Sequence, residues 1–238
     1  MARYDDAPIE KRSFGMHSHP RGQLSGLSKG LLTTGTDKET WVVSSEHAIW
    51  IPPKQAHYGY SQGASDVWSC YISEAYCQYL PQYPCMVKAS GLLREAVIRA
   101  SQWTGTDLDE SQLRITQVIL DELKAAEINA FDLPMPSTAT LIRIARALID
   151  NPGDRKSVEQ WAQWAGISVR TLSRKFVIET GYTYTAWRQR ARLMRSLEML
   201  ASGEAVTNIA LDLGYDSVSA FIALFKTIFG VTPSNYNF

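Results

Sequence analysis

Apolar positions between Ser13 and Ser73 come in short runs separated by turn residues. LSGL, GLLTT, TWVV, HAIWI, HYGY and VWSCYIS read as strands, with Gly30, Asp37, Gly63 and Asp66 near the breaks. So many short strands in about 60 residues predict a small barrel or jelly roll. From Ser90 to Ala126 the spacing becomes helical. In GLLREAVIRASQW the apolar face is Leu92, Leu93, Ala96 and Val97. In LDESQLRITQVILDELKAAE it is Leu108, Ile115, Ile119 and Leu123, with Leu113 and Leu120 alongside. These helices are expected to pack on the strands, and a face left over within residues 91–126 suits pairing with a second copy. FDLPMPST, with Pro134 and Pro136, ends the helical run and reads as a linker. The expected division is 1–133 and 134–238, the second part opening with a helix from Thr138 to Asp150 whose core face is Leu141, Ile144, Ala145 and Leu148. The fold class is α+β, a barrel followed by helices and then an all-α domain.

The all-α part carries an internal duplication. Trp161–Thr183 can be laid over Ile209–Thr232. Ala162 and Gly166 match Ala210 and Gly214 at an offset of 48, and Phe176, Gly181 and Thr183 match Phe225, Gly230 and Thr232 at an offset of 49. Two copies are too few for a solenoid. Each copy reads as a short helix, a tight turn and a second helix. In the first, Val158, Trp161 and Ala165 form the apolar stripe, and Gly166 supplies a turn where positive φ is cheap. Ser168 is placed to cap the next helix, which turns Leu172 and Phe176 inward. In the second, Ile209, Ala210 and Leu213 precede Gly214, Ser217 is the cap, and Phe221 and Phe225 face inward. This is helix-turn-helix grammar, in which the second helix of each unit enters a major groove.

A helix from Thr183 to Gly203 joins the two units. Trp187, Leu193, Leu197 and Leu200 make its buried stripe, and Arg188, Arg190, Arg192 and Arg195 crowd the rest. From Thr183 to Ala201 it is about 27 Å long at about 1.5 Å per residue. That length suits successive major grooves about 34 Å apart, especially on bent DNA. The arginines belong either to a DNA-facing surface or to a solvated helix face. Because Leu172 and Phe176 face the core, Arg170, Ser173 and Arg174 lie outward on the first second-position helix, with Thr171 and Lys175 at the flanks. The matching face of the other helix, about Val218 to Phe229, shows Val218, Ser219, Ile222 and Ala223, with Lys226 one turn later. An arginine suits the O6 and N7 acceptors of guanine, whereas valine and isoleucine can only touch thymine methyls. Unequal reading by the two units is expected. The alternative buries Val218 and Ile222 against Trp187 or the N-terminal domain.

Charge sharpens the division. Lys plus Arg and Asp plus Glu both number 24 over 238 residues. Residues 1–136 hold 12 basic and 16 acidic side chains, a balance of −4, and residues 137–238 hold 12 and 8, a balance of +4. The basic half suits a polyanion. No secretory signal pattern opens the chain and no apolar run is long enough to span a membrane, so a cytoplasmic location and no membrane partner are expected. Cys70, Cys77 and Cys85 form no C-x-x-C pair, which fits a reducing compartment. Cys70 reads as a buried strand residue. Cys77 and Cys85, near loops, read as structural thiols, with a redox switch or alkyl acceptor as the alternative.

AGISVRTLSRKF, WRQRARL and VTNIALDLGYDSVSAFIALFKTIFGVTPSNY resemble the DNA-binding domain of the AraC/XylS transcription regulators, over about 100 residues. The resemblance implies a seven-helix domain with two helix-turn-helix units and a shared helix. It places Arg170, Ser173 and Arg174 at base-reading positions, within a DNA-binding set of Ser168, Arg170, Thr171, Ser173, Arg174, Lys175, Ser217, Val218, Ser219, Ile222 and Lys226. A second, partial resemblance joins HSHPRGQ and IPPKQAH to the two cupin motifs, in which H-x-H-x3-E and a later His bind a metal. Carried over, the positions are His17, His19, Gln23 and His57, with Gln23 standing where metal-binding cupins have Glu. His17, His19 and His57 would still suit Zn²⁺, Ni²⁺ or Fe²⁺ with one open position. The alternative is a ligand pocket in which the histidines are simply hydrogen-bonded and no cofactor is required.

The two resemblances together imply a ligand-responsive transcription regulator, not an enzyme, with a cupin-like sensor and a promoter-binding C-terminal half. Its wording is closest to an AraC-type subgroup that controls a neighbouring transporter or efflux gene. Partners expected are double-stranded promoter DNA, a small-molecule effector, a second copy through residues 91–126, and RNA polymerase if it activates. The rival is a metal-dependent cupin enzyme with a DNA-binding appendage.

Overall fold

The computed structural model describes residues 2–5, 13–104, 107–129 and 131–236. The chain divides into two compact units, Met1–Thr36 with Trp41–Phe131, and Asp37–Thr40 with Asp132–Asn237.

The first unit is built on β1 (Ala2–Asp5), β2 (Ser13–His17), β3 (Gly22–Gly35), β4 (Glu39–Val43), β5 (His47–Ile51), β6 (His57–Ile72), β7 (Cys85–Lys88) and β8 (Ile128–Asn129). The sheet runs β1-β6-β3-β5-β7-β8, with β2 also on β6 and β4 on β3. It is a curled half-barrel, the cupin-like element expected. The strand count differs from expectation, because LSGL and GLLTT are one strand, β3, and HYGY and VWSCYI are another, β6. Gly30 (φ +90°) does not turn the chain. It sits opposite a register shift between Lys29↔Asp66 and Leu31↔Gln62, where β6 carries the surplus residues as a bulge and β3 runs on. Asp66 and Gly63 likewise lie inside β6. Glycine is required elsewhere on β3: a Cβ on Gly22 would lie 2.2 Å from the Trp50 ring and one on Gly26 2.3 Å from Trp68.

Those tryptophans belong to a core that α2 (Gly91–Ser101) and α3 (Glu110–Ala125) complete with Leu93, Val97, Ile119, Leu120 and Leu123. Leu92, Leu108 and Leu113, expected on the packing faces, point out instead, at 58%, 38% and 53% exposure. Leu92 and Leu113 lie off the buried faces of α2 and α3, and Leu108 precedes the Asp109 cap of α3. Cys70, Cys77 and Cys85 are all buried, and burial pushes the Cys70 thiol up to about 11, which favours the structural reading. Cys77 closes the short α1 (Glu74–Cys77).

The second unit contains α4 (Ala139–Asp150), α5 (Val158–Trp164), α6 (Val169–Thr180), α7 (Tyr184–Ala201), α8 (Val206–Asp212) and α9 (Val218–Phe229), with a 3₁₀ turn at Pro233–Asn235. Among the described residues these are six α-helices, against the seven implied by resemblance. Leu141, Ile144, Ala145 and Leu148 are fully buried, as the spacing of α4 requires. The expected linker is ordered structure. Its strand β9 (Leu133–Pro134) pairs with Glu39 and Thr40 of β4, Met135 N–H donates to Lys38 O, and Trp187 Nε1–H donates to Pro134 O at 2.7 Å. Proline ends helices but also suits an edge strand, and here the second property wins.

The duplication extends to the backbone, apart from one inserted residue. Gly166 and Gly214 take φ of +69° and +71°, Gly181 and Gly230 +76° and +78°. Ile167 N–H donates to Ala162 O, and Tyr215 N–H donates to Ala210 O, closing the same turn in each copy. Ser168 caps Thr171 N–H, and Ser217 caps Ala220 N–H. The extra residue of the second copy lies in this turn, where Tyr215 is buried against Phe221.

Glu179, near the end of α6, ties that helix to the start of α4. Its carboxylate accepts from the backbone N–H groups and the hydroxyls of Ser137 and Thr138. Desolvation opposes its charge, but the hydrogen bonds from Thr138 and Ser137 together outweigh that and hold the carboxyl below its usual value. A depressed folded value means that the stabilisation is whole above the ordinary value of 4.5 and is lost as pH falls through the folded one. Glu179→Ala should therefore cost about 1–3 kcal/mol at pH 7, read by urea unfolding, and the gap from wild type should close in acid.

Candidate functional site

The DNA-facing candidates lie where the caps place them. Arg170, Ser173 and Arg174 are exposed on α6, with Thr171 and Lys175 half-buried beside them and Ser168 exposed at the cap. On α9, Ser217, Ser219 and Lys226 are exposed, and Val218 and Ile222 are half-buried. Leu172, Phe176, Phe221 and Phe225 are fully buried, so the inward faces are as expected. Val218 and Ile222 keep part of their surface open to solvent, against the fully buried alternative.

The arginines of α7 find partners within the unit, Arg188, Arg190 and Arg192 half-buried and Arg195 exposed. Arg188 donates to Lys156 O. Arg190 donates through Nε to Asp132 O and pairs with the Asp132 carboxylate at 3.2 Å. Arg192 donates to Pro152 O and Asp154 O, and Arg195 pairs with Glu198 at 2.7 Å. Their partners are backbone carbonyls and acids up to 58 residues away, which helical periodicity does not reveal. Burial lowers the Arg192 value, and nearby Arg188 lowers it further, yet the carbonyls on the 152–154 turn keep it satisfied. That turn presses on the second copy: a Cβ on Gly153 would lie 2.0 Å from Asp212 O. Arg192 thus fixes the loop that abuts α8. Arg170, Arg174 and Lys226 make no hydrogen bond or ion pair among the described residues, which leaves these cations of α6 and α9 open to solvent.

The second candidate lies in the β-unit. The β2–β6 register sets His17 opposite His57. His19 follows in the β2–β3 turn, where its carbonyl accepts from Lys54 N–H, and Gln23 is the second residue of β3. The three imidazole centroids are 4.4, 5.1 and 5.9 Å apart, and one ligand nitrogen from each lies within 4.8 Å of the others. Every Nδ1 faces a backbone carbonyl, of Gly15, Arg21 and Gln55 respectively. With Nδ1–H donated there, Nε2 of a neutral ring carries a lone pair. Burial lowers the His57 value, opposed by the Gln55 carbonyl and reinforced by His17 and His19, which keeps that ring neutral near pH 7. Gln23 Oε1 stands 2.8 Å from His19 Nε2 and 3.1 Å from His57 Nε2. Gln23 Nε2 donates to Ser25 Oγ, which meets Ser69 Oγ. Lone pairs facing an amide oxygen repel unless a cation lies among them, the amide turns over to donate, or a ring carries a proton on both nitrogens. The donor set, with carbonyls holding the outer nitrogens, fits a divalent metal. The cluster opens on a cavity of about 160 Å³ whose walls include Phe14, Leu32, Ile49, Ile51 and Val67.

The profile of a helix-turn-helix domain family matches residues 161–237. The HTH-type transcriptional regulator NimR of Escherichia coli K12 is 32% identical over 222 residues, covering 93% of this chain and 81% of that protein. The chain belongs to the AraC/XylS family of transcriptional regulators. Another relative, the regulator RipA of Corynebacterium glutamicum, is 32% identical over 103 residues, 43% of this chain and 31% of RipA. The solved structure of ToxT from Vibrio cholerae is 11% identical, covers 99% of this chain and 96% of that one, and has a TM-score of 0.42, too loose a likeness to bear on function. Relatives named as regulators set aside the cupin-enzyme alternative. As an AraC/XylS regulator the chain binds double-stranded DNA through its helix-turn-helix units. No described helix is long and apolar enough to cross a membrane.

The two sets of arginines should separate experimentally. Arg174→Ala should leave the melting temperature unchanged and cost about 1–3 kcal/mol on a specific site, with far less lost on random DNA. Arg192→Ala should do the reverse, lowering stability by about 1–3 kcal/mol through two lost hydrogen bonds. Calorimetric melting and fluorescence anisotropy on both DNAs check the pair.

Proposed function

We propose that the chain is a regulator whose promoter binding responds to a small molecule held in the cavity of the β-unit, and that it controls a neighbouring transporter or efflux gene. The observation that carries the sensor reading is the clustering of His17, His19 and His57 beside Gln23, with His17, Gln23 and His57 lining a cavity in the unit that lacks the helix-turn-helix pair. The neighbouring-gene reading rests on the resemblance of the WRQRARL and GYDSVSAF segments to that AraC-type subgroup. The location this implies is the bacterial cytoplasm, with operator binding on the nucleoid. Residues 91–126 form the self-pairing surface, a reading that exposed Leu92 and Leu113 support. RNA polymerase is the further partner if the regulator activates.

In this reading His17, His19 and His57 hold a divalent metal, Zn²⁺, Ni²⁺ or Fe²⁺, with the Gln23 carbonyl oxygen beside them. Such an ion supplies a Lewis-acidic point that can orient an effector. The protein's own residues fix the imidazoles through Gly15, Arg21 and Gln55 and aim the amide through Ser25.

Reading of DNA is unequal between the two units. Arg170 and Arg174 on α6 specify guanines, whereas Val218 and Ile222 on α9 meet thymine methyls, Ser219 reaches a base or phosphate, and Lys226 grips the backbone. The second half-site is then T-rich or recognised by shape.

Replacing His19 and His57 together by alanine should abolish the response to effector and cut bound metal, while affinity for an in vitro selected operator stays within about twofold. Metal content by mass spectrometry and operator anisotropy are the readouts. An unchanged response in a folded double variant removes the sensor reading.

A further inference from the structure

The charge of the histidine cluster narrows what the cavity takes, an inference that rests on the metal reading above. Three imidazoles bring no negative charge, and Gln23 brings an amide where a carboxylate would bring one. The remaining walls are apolar or carry hydroxyls, such as Ser25, Thr34, Ser69 and Tyr71, and no Asp or Glu is among the described residues that line the cavity. Glu74, three residues beyond the wall residue Tyr71, is turned outward to Lys54 at 2.7 Å, both side chains being more than half exposed. His17 is exposed and His57 buried, so a dication held here would meet solvent on one side, and on the cavity side only neutral walls with no counter-charge, which is the costly side.

We propose that the cluster takes its divalent cation together with a small organic monoanion, which supplies the charge that Gln23 withholds. The anionic oxygen faces the histidines, and an apolar body fills the space walled by Leu32, Ile49, Ile51 and Val67. Size limits that body. A cavity of about 150 Å³ lined by apolar side chains holds a benzene ring, and this one measures about 160 Å³. The effector class is a carboxylate with roughly six ring or branched carbons, not a long chain and not a sugar. Gln23 is then a specificity-determining residue: its neutrality makes metal and anion bind together, whereas a glutamate would hold the metal alone.

The experiment uses the full chain loaded with Co²⁺, whose visible bands report the ligand set. It is titrated with cyclohexanecarboxylate, with the neutral cyclohexanecarboxamide, and with acetate, and metal retention is followed in parallel by equilibrium dialysis. Cyclohexanecarboxylate should shift the bands and tighten Co²⁺ retention at least about tenfold, acetate should do so more weakly, and the amide should do neither. Gln23→Glu should retain Co²⁺ more tightly alone and lose at least about tenfold in cyclohexanecarboxylate affinity. Co²⁺ uptake with equal responses to acid and amide, or with no response to either, overturns the co-binding while leaving the metal reading intact. Absence of Co²⁺ uptake by the wild-type chain overturns both. Should Gln23→Glu fail to fold, the contrast of acid with amide on the native chain still decides.

Discussion

Trp187 holds the DNA-binding unit together from the inside. Fully buried near the start of α7, its ring packs edge-on against Phe176 at 5.6 Å, the inner residue of the first recognition helix. Its Nε1–H is spent on Pro134 O, so the same side chain anchors β9. One helical step on, Arg190 fastens the Asp132 carbonyl and carboxylate. Two residues further, Arg192 holds the 152–154 turn that abuts α8. A single helix therefore sets the first unit, the preceding strand and the approach to the second unit by hydrogen bonds that are mostly shielded from water, where leaving one unmade is expensive.

That arrangement decides where positive charge is available. The C-terminal half owes its excess of basic residues partly to α7, yet Arg188, Arg190, Arg192 and Arg195 all serve the fold. Net charge overstates the DNA footprint for this reason. Arg170 and Arg174 on α6 are exposed with no hydrogen bond or ion pair among the described residues, and α9 presents half-buried Val218 and Ile222 with Lys226 exposed one turn later. Two units alike in backbone, caps and glycine turns thus offer DNA unlike chemistry.

The helix-turn-helix pair was legible because its signals are local: glycines at positive φ, serine caps one turn before a buried apolar residue (Leu172, Phe221), and a repeat with one inserted residue. The core faces of α4 and α7 were legible for the same reason. What was not legible depended on distant partners. Gly30 and Asp66 look like turn residues, but a bulge lets β3 and β6 run through them, and that depends on the opposite strand. Pro134 looks like a linker residue until Glu39 and the Trp187 indole supply its neighbours. Leu92, Leu108 and Leu113 fit a helical stripe, but Leu92 and Leu113 lie off the buried faces of α2 and α3, and Leu108 precedes the Asp109 cap. At the candidate sensor site, the resemblance of HSHPRGQ and IPPKQAH to the cupin motifs pointed to His17, His19, Gln23 and His57 together. It carried no information on the orientation of the rings, which the carbonyls of Gly15, Arg21 and Gln55 set.

The central claim is that two structurally equivalent units read DNA unequally. Substituting every base pair of a selected operator, one at a time, and measuring affinity tests it most directly. The account predicts losses of about 1–3 kcal/mol at guanines in the half-site under α6 and shallow, composition-dependent losses in the half-site under α9. Equally steep losses across both half-sites would contradict it.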